Sequence, residues 1–128
     1  MMKKVINTEL APKAIGPYSQ GIMIGDLAFL SGQIPVDPAT GELATGDDPV
    51  VAQANQSLKN VQSILESQGM SFDNVIKTTV FIANMDDFAK INQVYAQYFK
   101  EPYPARSCVQ VAKLPKEALV EIEVIAKK

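Results

Sequence analysis

The chain has 128 residues, 47% of them hydrophobic, which suffices for one core that buries about two thirds of the unfolded surface. Twelve basic and 14 acidic residues give a net charge of -2 without a block of like charge, so nucleic acid and anionic membranes are not expected partners. The lack of histidine and the single cysteine exclude Ser/His and Cys/His dyads, an internal disulfide and the commonest transition-metal ligand.

The N-terminus reads MMKKVI and has neither the apolar stretch nor the small-residue cleavage site of a secretory signal. No apolar run in the chain approaches the roughly 18 residues that a membrane helix needs. We therefore expect one cytoplasmic domain that spans residues 1–128.

The first quarter of the chain predicts three short strands, near residues 4–7, 20–24 and 27–31. The last two are separated only by Gly25 and Asp26, and a leading glycine suits a type II′ hairpin turn. Residues 35–48 are polar and rich in glycine and proline, which predicts one long surface loop.

Two amphipathic helices are predicted in the middle of the chain. Asp48 is the expected N-cap of the first, Pro49 its first residue, and apolar residues recur at spacings of three and four until Gly69 ends it. Asn84 or Asp86 caps the second. The buried stripe of the second helix consists of Phe88, Ile91, Tyr95 and either Phe99 or Tyr98. Residues 75–83, which lie between the helices and are apolar except at Lys77, predict a central strand.

Residues 104–111 carry the most distinctive chemistry. As a strand, this segment places Arg106 and Cys108 on one face. Residues 119–126 alternate in the same way after a short connection, which predicts a hairpin. If the valine-rich faces stay together, Glu121 and Glu123 lie on the same side as Arg106. The charges then form either a site for a small anion with a base beside it or a solvated cross-strand ion pair.

The order of elements predicts an α+β domain: a mixed sheet of about six strands with two helices on one face. Such a sheet has an uncovered face, which must be polar or buried by another subunit. We therefore expect a homo-oligomer with a site shared between chains.

Five motifs, spread in order between residues 7 and 126, resemble the reactive intermediate deaminase family, also called RidA or YjgF. They are IGPYSQ (15–20), SGQIP (31–35), KTTVF (77–81), PARSCV (104–109) and VEIE (120–123). The resemblance implies a chorismate-mutase-like fold and a homotrimer, with helices outside, sheets forming a central barrel and clefts between subunits.

The resemblance also implies an enzyme, a 2-iminobutanoate/2-iminopropanoate deaminase. Members hydrolyse the 2-imino acids released by serine and threonine dehydratases to 2-oxo acids and ammonia, without metal or cofactor. Arg106 would clamp the substrate carboxylate, while Glu121 and the main-chain carbonyl of Cys108 would position the attacking water. The residues implied to line the cleft are Tyr18, Ser31, Gly32 and Asn92.

Two alternatives stay open beside the enzyme. The same cleft between subunits would serve a non-catalytic regulatory protein that binds small ligands. RNA cleavage, proposed for relatives, fits poorly with the negative net charge and the missing histidine. The Cys108 side chain is expected to be a packing residue, since free cysteines are usually buried.

Overall fold

Six strands form one mixed sheet in the computed structural model, which describes residues 2–128. The strands of this sheet are β1 (Lys4–Ile6), β2 (Gly21–Ile24), β3 (Leu27–Leu30), β6 (Val75–Ile82), β7 (Ala105–Gln110) and β8 (Val120–Lys127). Their spatial order is β1-β2-β3-β8-β6-β7. Two further strands, β4 (Val36–Asp37) and β5 (Glu42–Leu43), pair with each other in antiparallel fashion. They lie within residues 35–48, which were predicted to form one long loop, so the prediction missed this short pair of strands.

The first helix, α1 (Pro49–Glu66), begins where the sequence predicts. Asp48 is its N-cap in an extended conformation, and Gly69 follows the helix with a φ of +72°, a conformation that favours glycine. The carboxylate of Asp48 lies 2.9 Å from the Lys90 ammonium. This ion pair joins the start of α1 to the second helix.

The second helix, α2 (Phe88–Tyr98), follows a 3-10 turn at Met85–Asp87. Asn84 caps this 3-10 turn, because its side chain accepts a bond from the Asp86 main chain at 2.9 Å. The N-cap of α2 itself is Asp87, so neither Asn84 nor Asp86, the two predicted caps, caps the second helix directly. Phe99, rather than Tyr98, completes the buried stripe. Neither helix in residues 2–128 combines the length and apolar character needed to cross a bilayer.

Both helices cover the same face of the sheet, as predicted. The core side chains of β6 are Thr78, Val80 and Ile82, and those of β8 are Val120, Ile122 and Val124. They are fully or almost fully buried against the apolar side of α1, which supplies Leu58, Val61, Ile64 and Leu65. The alternation of the two strands therefore gives the sheet one core face, as the period of two requires.

The turn at Gly25 and Asp26 is also as predicted. It joins β2 to β3 in two residues, and Ile24 pairs with Leu27 across it. Gly25 has a φ of +59°, and Asp26 is not among the residues of positive φ. These signs match a type II′ turn.

The hairpin predicted for the last two strands was wrong. β7 pairs with β6 in parallel, whereas β8 pairs with β6 and β3, both antiparallel, and so lies between them. Strand alternation shows which side chains share a face but does not identify the neighbouring strand. The long and alternately buried β8 takes the central place, and the more polar β7 forms the edge.

The register also corrects the predicted face of the acidic residues. Arg106 is level with Thr78, a core-face position, and Cys108 shares that face. Glu121 is level with Phe81, one residue out of phase with the core positions of β6. Glu121 and Glu123 therefore lie on the opposite, helix-free face.

Large apolar side chains occupy the helix-free face. Val5, Ile22, Phe29 and Ile125 are aligned across four neighbouring strands. Val5 is 66% exposed and Phe29 43% exposed. An exposed apolar row of this kind is typical of a surface that another protein covers.

Candidate active site

Arg106, Asn92 and Cys108 form what we call the arginine cluster, at the β7 edge of the sheet. The Arg106 side chain reaches toward α2, where its Nη1 donates to Asn92 Oδ1 at 2.6 Å. The guanidinium carbon lies 4.8 Å from the ring centroid of Tyr95 and 5.6 Å from that of Phe88. Both contacts are within cation–π range. The arginine is thus held at a defined place although it is exposed.

A cavity of about 330 Å³ opens directly at this arginine. The residues that line it are Asn92, Tyr95, Ala96, Tyr103, Pro104 and Arg106. A guanidinium beside a cavity of this size can receive a carboxylate through two parallel hydrogen bonds.

Cys108 contributes its side chain to packing. The thiol is partly buried against the core, and burial raises its pKa even though the charge of Arg106 acts in the opposite direction. A thiol whose pKa is raised stays protonated at neutral pH and is a weak nucleophile.

The main-chain carbonyl of Cys108, unlike its side chain, faces away from the rest of the sheet. β7 is the last strand of the sheet, and Val111 N donates to Ile82 O at the end of the parallel ladder. Alternate residues of a strand direct their main-chain groups to the same neighbouring strand. The main-chain groups of Val109, like the N–H of Val111, therefore face β6, and those of Cys108 face away from it. The carbonyl of Cys108 therefore points to the open edge, where it can accept a bond from a ligand or water.

A second group of residues, which we call the glutamate cluster, consists of Tyr18, Ser31, Gly32 and Glu121. Gln33 and Ile122 exchange main-chain bonds of 2.8 and 3.2 Å, which hold residues 31–33 beside β8. A Cβ atom at Gly32 would collide with Glu121 Oε2 and lie 2.9 Å from the carboxyl carbon. The absence of a side chain at Gly32 therefore makes the room that the Glu121 carboxyl group occupies.

The surroundings of Glu121 change its acidity. Burial raises the pKa of this half-buried carboxyl group, and the negative charge of Glu123 raises it further. A carboxylate with a raised pKa is a stronger base than one in water. Glu121 therefore has the electrostatic character of a general base.

Ser31 joins Gly32 to the loop that carries Tyr18. Its hydroxyl donates to the main-chain oxygen of Ser19 at 2.6 Å, so only its acceptor capacity remains for a ligand. Tyr18 is 54% exposed and lines, together with Gly32, a cavity of about 540 Å³.

Two residues that the sequence interpretation did not assign to the site support these clusters. Gln20 is buried, and its amide group bonds to the main chain of Thr8 in both directions, at 2.7 and 3.0 Å, which fixes the loop before Tyr18. Tyr95 was assigned to the helix stripe, where it is indeed buried, but it also contacts Arg106. The three-residue spacing between Asn92 and Tyr95 was the available signal, because residues so spaced share one helix face.

The two clusters do not meet within one chain. They lie on opposite faces, and β8 is separated from β7 by β6, which amounts to about 10 Å across two strand spacings. A small substrate cannot contact Arg106 and Glu121 of the same copy. Residues 2–128 also contain no group of three or more acidic or cysteine side chains arranged to hold a metal ion.

Comparisons with known proteins give the same family throughout. A family model described as Endoribonuclease L-PSP matches residues 8–128. A RutC family protein of Pyrococcus horikoshii is 55% identical over 127 residues, covering 99% of each chain. The 2-iminobutanoate/2-iminopropanoate deaminase of Salmonella typhimurium is 52% identical over 128 residues, covering 98% of each chain.

A solved structure agrees with these sequence relatives. The crystal structure of Escherichia coli TdcF with bound serine superimposes with a TM-score of 0.90 at 52% identity, covering 98% of each chain. The family model, the sequence relatives and the solved structure each match nearly the whole length of the chain. The chain therefore belongs to the RidA/YjgF family of reactive intermediate deaminases.

Proposed function

We propose that this protein is a hydrolytic deaminase that converts 2-imino acids, the products of serine and threonine dehydratases, into 2-oxo acids and ammonia. The observation that carries the proposal is Arg106, whose guanidinium group is held by Asn92 and Tyr95 beside an open cavity. The named activity of the Salmonella relative at 52% identity supports the same reaction. The cytoplasmic location predicted from the sequence is part of this proposal.

The site is proposed to be shared between copies of the chain, with Arg106 from one copy and Glu121 from the next. Their placement on opposite faces of one sheet supports this arrangement, because a single copy cannot present both to a small substrate. The exposed apolar row on the helix-free face supports association with further copies. A homotrimer is the assembly we propose.

The proposed reaction needs few groups. The Arg106 guanidinium binds the substrate carboxylate and places the protonated imine carbon near a water molecule. Glu121 accepts a proton as the water oxygen bonds to that carbon, while the carbonyl of Cys108 orients the water. Glu121 then returns that proton to the nitrogen. As the carbon–nitrogen bond breaks, the hydroxyl oxygen forms the carbonyl and its proton passes to the ionised Glu121 and from there to water, so that the 2-oxo acid and ammonia leave.

Two other activities are weaker candidates. The family description names an endoribonuclease, but a net charge of -2 and the lack of histidine offer neither a phosphate-binding surface nor the usual base. A regulatory protein without catalysis would use the same anion site. It would bind 2-oxo acids without accelerating the release of ammonia.

The Arg106→Ala variant tests the proposal. Ammonia release from 2-iminobutanoate, generated by a dehydratase in the same assay, is measured for the wild type and the variant. We expect a loss of roughly a hundredfold or more, since the variant loses both the charge and the positioning of the substrate. Lys59→Ala, at an exposed position of α1, is the control and should retain wild-type activity.

Unchanged ammonia release in a folded Arg106→Ala variant would contradict the proposal. A wild type that binds 2-oxobutanoate through Arg106 but does not accelerate ammonia release would favour the regulatory alternative.

A further inference from the structure

Tyr95 lies between the arginine cluster and the core. It is only 6% exposed, and its ring stacks on Phe99 with a centroid separation of 4.3 Å. The guanidinium carbon of Arg106 lies 4.8 Å from the same ring. Tyr95 is therefore both a core residue and a contact of the candidate substrate-binding arginine.

The ring of Tyr95 is fixed at both ends. α2 holds its main chain, and its hydroxyl lies 2.8 Å from Thr78 Oγ1 in a buried hydrogen bond. Thr78 is fully buried on β6, directly beside Arg106 on β7 in the parallel register. The hydroxyl of Tyr95 is thus anchored to the strand next to the one that carries the arginine.

This arrangement restricts the guanidinium group in two ways. The contact with Tyr95 limits its tilt, and the bond to Asn92 Oδ1 at 2.6 Å limits its rotation. In residues 2–128 the remaining guanidinium N–H donors have no hydrogen-bond partner. A planar group held in this way offers its free donors in one direction, which two-point carboxylate binding requires.

We propose that Tyr95, anchored by Thr78, is a positioning residue that orients Arg106 for the carboxylate of the substrate. The inference rests on the proposed function, because it assumes that Arg106 binds a carboxylate. It adds a role for a tyrosine–threonine pair in the core, away from the reacting atoms.

Calorimetric titration with 2-oxobutanoate and with the uncharged 2-oxobutanamide tests the inference. The variants are Tyr95→Leu, Tyr95→Phe and Thr78→Val. Tyr98→Phe is the matched control, since Tyr98 is on the same helix and its hydroxyl donates to Asn55 at 2.8 Å, away from the arginine.

We expect Tyr95→Leu to weaken 2-oxobutanoate binding about tenfold, as loss of a cation–π contact implies. Tyr95→Phe and Thr78→Val, which remove only the buried hydrogen bond, should each weaken it about threefold. Binding of 2-oxobutanamide should change less than about twofold in all of them, because a neutral amide makes no charge-assisted pair with the guanidinium. Tyr98→Phe should bind both ligands like the wild type.

Equal losses for the acid and the amide, or losses no greater than in Tyr98→Phe, would show that Tyr95 only supports the fold and would overturn the inference. If Tyr95→Leu does not fold, Tyr95→Phe and Thr78→Val decide, since both nearly preserve shape. Arg106→Ala in the same series separates the two proposals. If Arg106→Ala still binds 2-oxobutanoate, the proposed function is contradicted. If Arg106→Ala loses binding while the Tyr95 and Thr78 variants bind 2-oxobutanoate like the wild type, only the positioning role is contradicted.

Discussion

Arg106 and Glu121 are each restricted by a neighbour with its own chemistry. Asn92 and Tyr95 hold the guanidinium group, so less entropy is lost when a carboxylate binds to it. Gly32 leaves room for the Glu121 carboxyl group, whose pKa burial raises. The candidate site thus contains two charged side chains, one positioned to bind a carboxylate and one whose raised pKa suits it to accept a proton.

Replacing Gly32 by alanine tests the second of these restrictions. The new methyl group would collide with Glu121 Oε2, and the end of a glutamate side chain can move without unfolding the protein. We expect a fall in kcat of about a hundredfold, comparable to the loss of a general base, with KM changed much less. Steady-state kinetics and circular dichroism of the variant measure this. A large rise in KM with unchanged kcat would mean that Gly32 serves binding and not the base.

The acid limb of the pH–rate profile should depend on Glu123. Glu121 must be ionised to accept a proton, so kcat/KM should fall as the pH decreases through its raised pKa. Glu123→Gln removes a negative neighbour, which makes ionisation of Glu121 easier and lowers its pKa. The acid limb of the variant should therefore move to lower pH in profiles measured side by side. A shift to higher pH would be inconsistent with Glu121 as the base.

The elements differ in how far local sequence determines them. The start of α1 and the turn between β2 and β3 were predicted correctly because capping and turn geometry depend on adjacent residues. The neighbours of β7 and β8 depend on contacts distant in sequence, and the hairpin prediction failed there. The face of Glu121 was wrong for a related reason: Val109 of β7 lies on the helix-free side, where it is 45% exposed, so the valine-rich face of β7 is not its core face. The motifs were sufficient to identify Arg106 and Glu121 as candidate site residues. That the two residues lie apart within one chain follows only from the order of the strands in the sheet.

Asn60 joins two elements and offers a test of stability. This buried residue of α1 donates to the main-chain oxygens of Ile34 and Val36 at 3.2 and 2.9 Å. Asn60→Ala leaves both acceptors without this donor, so we expect the free energy of unfolding to fall by about 2 kcal/mol or more. Urea denaturation at fixed protein concentration measures the change.

The control for this experiment is Lys59→Ala, at the exposed neighbouring position of α1. It should change the free energy of unfolding by less than about 0.5 kcal/mol. Equal stability of Asn60→Ala and the wild type would mean that the bonds from α1 to the segment around β4 contribute nothing net to folding.

The two clusters of the candidate site lie on unlike faces of the molecule. The arginine cluster lies on the helix side at the β7 edge, whereas the glutamate cluster lies on the apolar, helix-free side. In a closed ring each copy can present one face to each neighbour, so every cleft receives one cluster from each of two chains. Association would then bury the apolar row and assemble the catalytic groups together.

Co-expression of Arg106→Ala and Glu121→Gln, each of which lacks one of the two charged groups, tests whether the site is shared between chains. With equal, random mixing, about one cleft in four receives an intact Arg106 from one chain and an intact Glu121 from the other. We predict that the unselected mixture releases ammonia from 2-iminobutanoate at about a quarter of the wild-type rate and that isolated mixed trimers do so at about a third, while each variant alone keeps roughly a hundredth or less. Mixed oligomers, isolated through two different affinity tags, that are as inactive as the single variants would contradict a site shared between chains.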